Sequence, residues 1–290
     1  MHHQFLELWN EFLKKSKLPD ACTGHFEISN EEFKSLLIKF DRAKSFKIVN
    51  NLMEGKVLII KKAFSDNFVQ DLKSKVKIFW TESESSFYPM TEGCPDFHRI
   101  ITPELSKNYS VGAVRHSTYF FPWNNDPCKI NEKIYETWRL FKTFSGLHPK
   151  EYEKNTPKNG AVDRIQIACY PPGHGGVEVH VDIKKHNFLA ISCYLSSLEN
   201  KDFSTGGFYC VDKNDKKINL EKSISCGDIS LYCPTIRHGV SAIDEHQPKK
   251  KINWNSGEGR WWMGLFTMDS NLVKNRLTSK SLEKHQSERI

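Results

Sequence analysis

Apolar residues in the first half of the chain recur every three or four positions, which predicts a series of amphipathic helices. One helix is predicted over residues 5–15, and a second begins at Asn30 as its N-cap and runs to Phe40. A third follows Ser65 as its N-cap, and a fourth covers residues 131–144. We expect these helices to pack against another layer rather than to carry chemistry.

The second half of the chain follows a different pattern. From Ala161 to Met268, short β-branched and aromatic runs alternate with Gly, Pro and Asp, as is typical of a sandwich or barrel. A single earlier strand is predicted at Lys56 to Lys61. Residues 90–128 show no clear period, so we expect a lid or substrate wall there, with an irregular packed loop as the alternative.

These patterns predict one α+β domain with a mainly β core, spanning residues 1–290. Helical and irregular support occupies residues 1–160, the β core, where we expect the chemistry, occupies 161–268, and a basic C-terminal tail occupies 269–290. A solvated terminal helix accounts for the charge of that tail.

Composition narrows the class of protein further. The 290 residues are 38% hydrophobic and carry a net charge of +7, without the dense Lys/Arg stripes of nucleic-acid binders. The eight cysteines form no CxxC pair, which favours small buried hydrophobes in a reducing compartment. Since neither a signal peptide nor a window of about 18 apolar residues is evident, we expect a cytoplasmic protein without a membrane span.

The segment from Val177 to Asp182 strictly alternates apolar and polar residues. On a strand, Glu178, His180 and Asp182 would face one side, so His180 and Asp182 could bind one ion. His238 follows a second predicted strand far downstream. Two imidazoles and one carboxylate form a facial triad that suits non-haem Fe(II), although His-x-Asp alone is common by chance and each histidine alone also fits a surface role.

Arg260 begins the apolar run Trp261 to Phe266. A guanidinium in such a strand is costly to bury unless an anion pairs with it. A carboxylate co-substrate would supply that anion and bind the arginine in a bidentate manner. The alternative is a structural salt bridge to an acidic side chain.

Taken together, these motifs resemble the Fe(II)/2-oxoglutarate-dependent oxygenases of the prolyl-4-hydroxylase type, and the hypoxia-sensing prolyl hydroxylases especially. The resemblance covers roughly residues 161–268. The motifs that carry it, in chain order, are Ala168 to Gly173, His180 with Asp182, Ser192 to Leu195, Thr205 to Phe208, Gly227-Asp228, His238 to Val240 and Gly259-Arg260.

The resemblance implies a double-stranded β-helix, that is, a cupin-like jelly roll, with the N-terminal helices packed on one sheet. It also implies that His180, Asp182 and His238 bind Fe(II) as the catalytic metal ligands. O2 would be the oxidant, with ascorbate as a reductant.

The resemblance assigns the co-substrate to three further residues. Arg260 would bind the distal carboxylate of 2-oxoglutarate, Tyr194 would assist Arg260 through its hydroxyl, and Tyr170 would hydrogen-bond the co-substrate from a neighbouring strand. Core aromatic packing is the alternative for both tyrosines.

The chain departs from the family pattern at one point. Arg260 follows His238 by 22 residues rather than about ten, which we interpret as a polar insertion at 244–257. Residue 182 is Asp and not the Gly or Ala of halogenating relatives, which favours hydroxylation. The next arginine after Arg260 is Arg276, too distant for the second arginine of the nucleic-acid demethylases, so a nucleic-acid partner is not expected.

The sequence thus predicts a 2-oxoglutarate-dependent dioxygenase that hydroxylates an unactivated C–H bond of a small polar metabolite, such as an amino acid or sugar acid, releasing succinate and CO2. One alternative is a hydroxylase of protein side chains, of the prolyl type. Another is a non-catalytic cupin-like protein that binds a metal or ligand, with an all-nitrogen zinc site drawn from His174, His180, His186 and His238.

Overall fold

The structure is a computed structural model that describes residues 1–198, 200–247 and 251–282. Part of the predicted insertion, residues 248–250, and the end of the predicted basic tail, residues 283–290, lie outside the described residues. The six α-helices are α1 (His2–Leu13), α2 (Asn30–Lys39), α3 (Arg42–Met53), α4 (Asp66–Glu82), α5 (Pro103–Ser106) and α6 (Asn131–Phe144).

Twelve strands make up the described β structure. They are β1 (Gly24–Ser29), β2 (Lys56–Lys61), β3 (Phe97–Ile101), β4 (Ala113–Phe120), β5 (Ala161–Tyr170), β6 (Gly176–His180), β7 (Ala190–Tyr194), β8 (Gly207–Val211), β9 (Lys217–Asn219), β10 (Ile229–Tyr232), β11 (His238–Ser241) and β12 (Arg260–Asp269).

The strands form two facing sheets joined through β4. The large sheet has the order β1-β2-β10-β7-β12-β5-β4, with β3 added on β4, and the small sheet has the order β6-β11-β8-β9. Strands β1 and β2 pair in parallel, and the other pairings between the described strands are antiparallel. From β5 to β12 the chain passes back and forth between the two sheets, with the hairpin β8–β9 in the small sheet counting as one step. This is the double-stranded β-helix, or jelly roll, that the sequence predicted.

The two faces of the large sheet have different tasks, as the alternation along β12 shows. Trp261, Met263 and Leu265 belong to the main apolar core, which includes residues of α1, α4 and α6. Arg260, Trp262 and Phe266 instead line a cavity between the sheets. The predicted packing of helices on one sheet is therefore confirmed, and the opposite face of that sheet is left to form a site.

The local pattern located most helices but misplaced some boundaries: α1 spans His2–Leu13 rather than 5–15, and the capping of α2 also differs. The N-cap of helix α2 lies one residue earlier than predicted: it is Ser29 and not Asn30. The Ser29 hydroxyl accepts a hydrogen bond from the backbone N–H of Glu32, and the Glu32 carboxylate accepts one from the N–H of Ser29. This reciprocal capping box stabilises the helix start more than a lone Asn30 would.

The aperiodic stretch 90–128 is more regular than its pattern indicated, since it contains β3, α5 and the whole of β4. As predicted, residues from this stretch do form a wall of the cavity. All eight cysteines are buried and unpaired, as the sequence indicated. Within the described part of the chain, every helix is too short or too polar to cross a membrane.

Candidate metal centre and active site

The small sheet brings the predicted iron ligands together. His180 ends β6 and lies directly opposite His238, the first residue of β11. Asp182 follows two residues after His180, and its backbone N–H donates a hydrogen bond of 2.9 Å to the carbonyl of Pro234, which tethers it to the segment leading into β11. Asp182 Oδ1 lies 3.8 Å from His180 Nε2, and Oδ2 lies 3.6 Å from His238 Nε2.

A β-bulge aims His180 at this centre. His238 pairs with His180, but Val240 pairs with Val177, so β6 contains one extra residue between the two positions. Val177 and His180 consequently both line the cavity. The strict alternation predicted Glu178 on the face of His180, and this was wrong, because its carboxylate accepts a 2.8 Å hydrogen bond from the backbone N–H of Gly112.

Both imidazoles are held with Nε2 available for a metal. His180 Nδ1 lies 2.8 Å from the carbonyl oxygen of Glu178, and His238 Nδ1 lies 2.9 Å from that of Ile236. A carbonyl only accepts, so each Nδ1 carries the proton and each Nε2 presents a lone pair. Burial, followed by the neighbouring His238, lowers the pKa of His180 to about 4, so His180 is neutral at pH 7 and ready to bind a cation.

The donor set fits one divalent iron ion. Within the described part of the chain, His180, Asp182 and His238 are the only group of three whose ligand atoms all lie within 4.8 Å of one another. Two neutral nitrogens and one carboxylate oxygen on one side leave coordination positions open on the other. The all-nitrogen zinc site is not assembled, since His186 Nε2 instead bonds Asp269 Oδ1 at 2.8 Å.

Arg260 lies in the same cavity but has an internal partner. Its Nε lies 3.0 Å from Glu221 Oε1, its Nη2 lies 3.0 Å from Glu221 Oε2, and both side chains are buried. The predicted alternative of a structural salt bridge is thus present. Arg260 Nη1 has no hydrogen-bond partner among the described residues, which is the kind of buried donor that a ligand oxygen would satisfy.

The two predicted tyrosines flank Arg260 in different ways. The Arg260 Cζ atom lies 5.5 Å from the ring centre of Tyr170 and 5.5 Å from that of Tyr194. The Tyr194 hydroxyl is 2.8 Å from Ser230 Oγ, and burial raises the pKa of Tyr194 well above its ordinary value. Tyr170 lines the cavity and accepts a 3.3 Å hydrogen bond from Arg115 Nη1, whereas Tyr194 is not among the described cavity-lining residues.

The sequence missed several residues of the site. The cavity has a volume of about 350 Å³, and Arg115 of β4 and Arg164 of β5 line it together with Tyr232. The Tyr232 ring packs edge-on against His238, with ring centres 5.0 Å apart. The signal that singled out Arg260, an arginine inside an apolar strand, is equally present at Arg115 and Arg164 and could have identified both.

No protein-family model matches the chain, and no curated protein matches it. Solved structures similar to it include a prolyl-4-hydroxylase from Pseudomonas putida, 14% identical, covering 76% of this chain and 97% of that one, with a TM-score of 0.48.

A prolyl hydroxylase from Trichoplax adhaerens, in complex with a hypoxia inducible factor peptide fragment, is 15% identical, covering 80% of this chain and 92% of that one, with a TM-score of 0.49. A putative 2OG-Fe(II) oxygenase family protein from Caulobacter crescentus is 11% identical, covering 91% of this chain and 97% of that one, with a TM-score of 0.48. The likeness concerns the fold, so the function is argued from this chain's own residues.

Proposed function

We propose that this chain is an Fe(II)- and 2-oxoglutarate-dependent dioxygenase that hydroxylates an unactivated C–H bond of a small polar metabolite and releases succinate and CO2. The observation that carries the proposal is the His180, Asp182 and His238 triad, which lies in the cavity between the two sheets. Arg260 lines the same cavity with an unsatisfied buried donor.

In the proposed mechanism, His180, Asp182 and His238 would hold Fe(II) through two imidazole nitrogens and one carboxylate, a donor set that suits non-haem Fe(II) oxygen chemistry. When bound, Fe(II), O2 and 2-oxoglutarate supply the oxidation, in which the co-substrate becomes succinate and CO2 and one oxygen atom enters a C–H bond. The backbone carbonyls of Glu178 and Ile236 keep both imidazoles from rotating or changing tautomer.

Arg260 would bind the distal carboxylate of the co-substrate. Glu221 accepts a 3.0 Å hydrogen bond from Nε and forms an ion pair with Nη2 at 3.0 Å, while both Nη1 and Nη2 lack a hydrogen-bond partner among the described residues and are available as donors. Tyr170, on the neighbouring strand directly opposite Arg260, would add a hydrogen bond from its hydroxyl. Tyr194 would act through its ring beside Arg260, and its hydroxyl would hold Ser230.

Cavity size and lining support a small substrate. A volume of about 350 Å³ is at the lower end of the range for small-molecule sites. Apolar side chains, among them Phe97, Phe121 and Trp262, make up much of its wall. Such walls exclude water, which protects the oxidising chemistry from side reactions.

The test is the visible charge-transfer band that forms when 2-oxoglutarate chelates protein-bound Fe(II) in the absence of O2. We expect the band in the wild type and in His25→Ala, an exposed histidine remote from the cavity. We expect no band in His180→Ala. A wild type without the band, or a band that persists in His180→Ala, would contradict the proposal.

The substrate class is then tested by succinate release with Fe(II) and ascorbate over amino acids, sugar acids, nucleotides and peptides. Stimulation by a small metabolite supports the proposal. Stimulation by peptides alone would replace it with a hydroxylase of protein side chains, and a band without any stimulated turnover would favour a binding protein.

A further inference from the structure

The large sheet carries more positive charge into the cavity than one co-substrate requires. Besides Arg260, four arginines line the cavity: Arg99, Arg115, Arg164 and Arg276. Arg115 lies on β4 and Arg164 on the adjacent β5, so neighbouring strands present both to the same space. Both side chains are half-buried.

Neither of these two arginines pairs with an acidic side chain in the part of the chain that the structure describes. Among the described residues, no carboxylate oxygen lies within 4.0 Å of the guanidinium of Arg115 or Arg164. Arg115 Nη1 donates to the Tyr170 hydroxyl at 3.3 Å, and Arg164 Nη2 donates to Gln166 Oε1 at 2.9 Å. Each guanidinium has five N–H donors, so neutral partners satisfy only part of each.

The positive charges of the cavity arginines also repel one another. Burial, with the charges of Arg276 and Arg115, lowers the pKa of Arg164 to about 10, which still leaves it charged at pH 7. Like charges collected in a half-buried site are costly, and an anionic ligand removes that cost.

The acidic residues of the cavity offset only part of the arginine charge: Asp182 favours the charged forms of Arg115 and Arg164 but forms no ion pair with either. Asp182 and Asp269 are the acidic residues among the described cavity lining. Asp269 is engaged by Lys185 at 3.0 Å and by His186 at 2.8 Å. Asp182 serves the metal centre.

Bound iron and co-substrate do not remove the excess either. The two charges of Fe(II) are offset by the two carboxylates of 2-oxoglutarate, and Arg260 is offset by Glu221. Asp182 then contributes a single negative charge against Arg115 and Arg164, with Arg99 and Arg276 still to be counted. The cavity therefore stays cationic after both groups have bound.

Aromatic rings hold the arginine planes against the apolar wall. The Arg164 Cζ atom lies 5.1 Å from the ring centre of Tyr119 and 5.5 Å from that of Phe266. Arg99 Cζ lies 4.3 Å from the ring centre of Phe87 and 4.6 Å from that of Tyr109. Guanidinium groups stacked in this way keep their edges for hydrogen bonds to planar anions.

We infer that the substrate is a small organic anion, a carboxylate or phosphate ester, whose charged group is bound by Arg115 and Arg164 while its apolar body lies against Tyr119 and Phe266. This inference rests on the proposed function and specifies its substrate class. The site offers charge, hydrogen-bond donors and an aromatic wall within one cavity of about 350 Å³.

The experiment measures binding rather than turnover. The full chain is loaded with Zn(II), which has no redox chemistry, and with saturating 2-oxoglutarate. It is then titrated calorimetrically with 3-phenylpropionate, phenyl phosphate and the neutral 3-phenylpropionamide. We expect at least one anion to bind, and the amide to bind at least about tenfold more weakly, as expected for the loss of a charge-assisted hydrogen bond.

Variants assign the effect to the two arginines. Arg115→Met and Arg164→Met should each weaken the anion by about tenfold or more, Arg164→Lys should weaken it less, and the exposed Arg42→Met should not change it. The dissociation constant of 2-oxoglutarate, measured separately, should respond to Arg260→Met far more than to either cavity variant. Circular dichroism and thermal unfolding show that each variant is folded.

The inference would be overturned if no anion binds, if acid and amide bind equally, or if both methionine variants bind the anion like the wild type. It would also be overturned if Arg115→Met or Arg164→Met abolishes 2-oxoglutarate binding while Arg260→Met does not, since the arginines would then serve the co-substrate. These outcomes differ from failure of the proposed function, in which the wild type forms no charge-transfer band.

Discussion

The small sheet and the large sheet, which form the two walls of the cavity, differ in how many hydrogen-bond partners their polar side chains have within the protein. On the small sheet, His180 and His238 are each bonded to a backbone carbonyl through Nδ1 and contact Asp182 through Nε2. On the large sheet, Arg115 and Arg164 contact only neutral groups within hydrogen-bonding distance among the described residues. The small sheet is thus arranged in advance for a cation, and the large sheet is left incomplete until an anion arrives.

Arg260, on the same sheet, differs from these two arginines because a carboxylate of the protein pairs with it. Glu221, remote from it in sequence, contacts it at 3.0 Å and is fully buried. Glu221 therefore fixes Arg260 in place and compensates its charge, whereas Arg115 and Arg164 keep charges that no described carboxylate pairs with. Substitutions at the paired and the unpaired side chains should therefore change the free energy of unfolding by different amounts.

The largest effect is expected on breaking the Arg260 pair. Glu221→Ala leaves a buried guanidinium without its carboxylate and should lower the free energy of unfolding by about 3–5 kcal/mol. Urea unfolding followed by circular dichroism measures this. The matched double variant Glu221→Gln with Arg260→Met removes both charges and should recover most of the loss. If Glu221→Ala were as stable as the wild type, the ion pair between Glu221 and Arg260 would not stabilise the fold.

A smaller effect is expected from His116, the neighbour of Arg115 on β4. His116 faces away from the cavity, stacks on Trp80 with ring centres 3.7 Å apart, and bonds the Trp254 carbonyl at 3.0 Å. Burial, together with the neighbouring His98, lowers the pKa of His116 to about 4, below the ordinary 6.5. His98 Nδ1 lies 2.8 Å from His116 Nε2, and burial lowers the pKa of His98 in the same direction. Because the folded-state pKa is depressed, the contribution of His116 is intact above pH 6.5 and is lost as the pH falls towards 4.

The corresponding measurement is the free energy of unfolding at pH 7 and at pH 5. His116→Asn, which keeps a donor near the position of Nδ1, should lose about 2 kcal/mol less between these pH values than the wild type does. Identical pH dependence in the two proteins would mean that His116 is already charged in the folded state. The contrast between a neutral His116 on one face of β4 and a charged Arg115 on the other would then be wrong.

The smallest effect on stability is expected at the unpaired arginines. Arg164→Met removes a charge that has no acidic partner, so the free energy of unfolding should stay the same or rise by up to about 1 kcal/mol. Thermal and urea unfolding of this variant beside the wild type provide the comparison. A loss comparable to that of Glu221→Ala would indicate that Arg164 holds the fold together rather than awaiting a ligand.

The sequence was most informative where a local pattern decides the structure. Three predictions agree with the structure because each depends on spacing within a few residues. They are the helix at 131–144, which is α6, Ser65 as the N-cap of α4, and the strand at Lys56 to Lys61, which is β2. The motifs around His180 and His238 likewise predicted a pair that the structure places directly opposite each other.

The sequence was least informative where distant residues meet. Nothing near Arg260 in the sequence indicated that Glu221 would be its partner, because Glu221 lies 39 positions earlier, in a short 3₁₀ helix at Glu221–Ser223, and only the fold brings the two side chains together. The bulge that turns Glu178 out of the cavity arises from the pairing of β6 with β11, which period-two alternation cannot predict. Arg115 was missed because its segment showed no period.

The central claim, that the small sheet binds the metal and the large sheet binds the organic anions, is tested most directly by anaerobic equilibrium dialysis against Fe(II). We predict one tightly bound Fe(II) per chain in the wild type and in Arg164→Met, and none in His238→Ala. Tight Fe(II) binding by His238→Ala, or its loss in a folded Arg164→Met, would contradict the account.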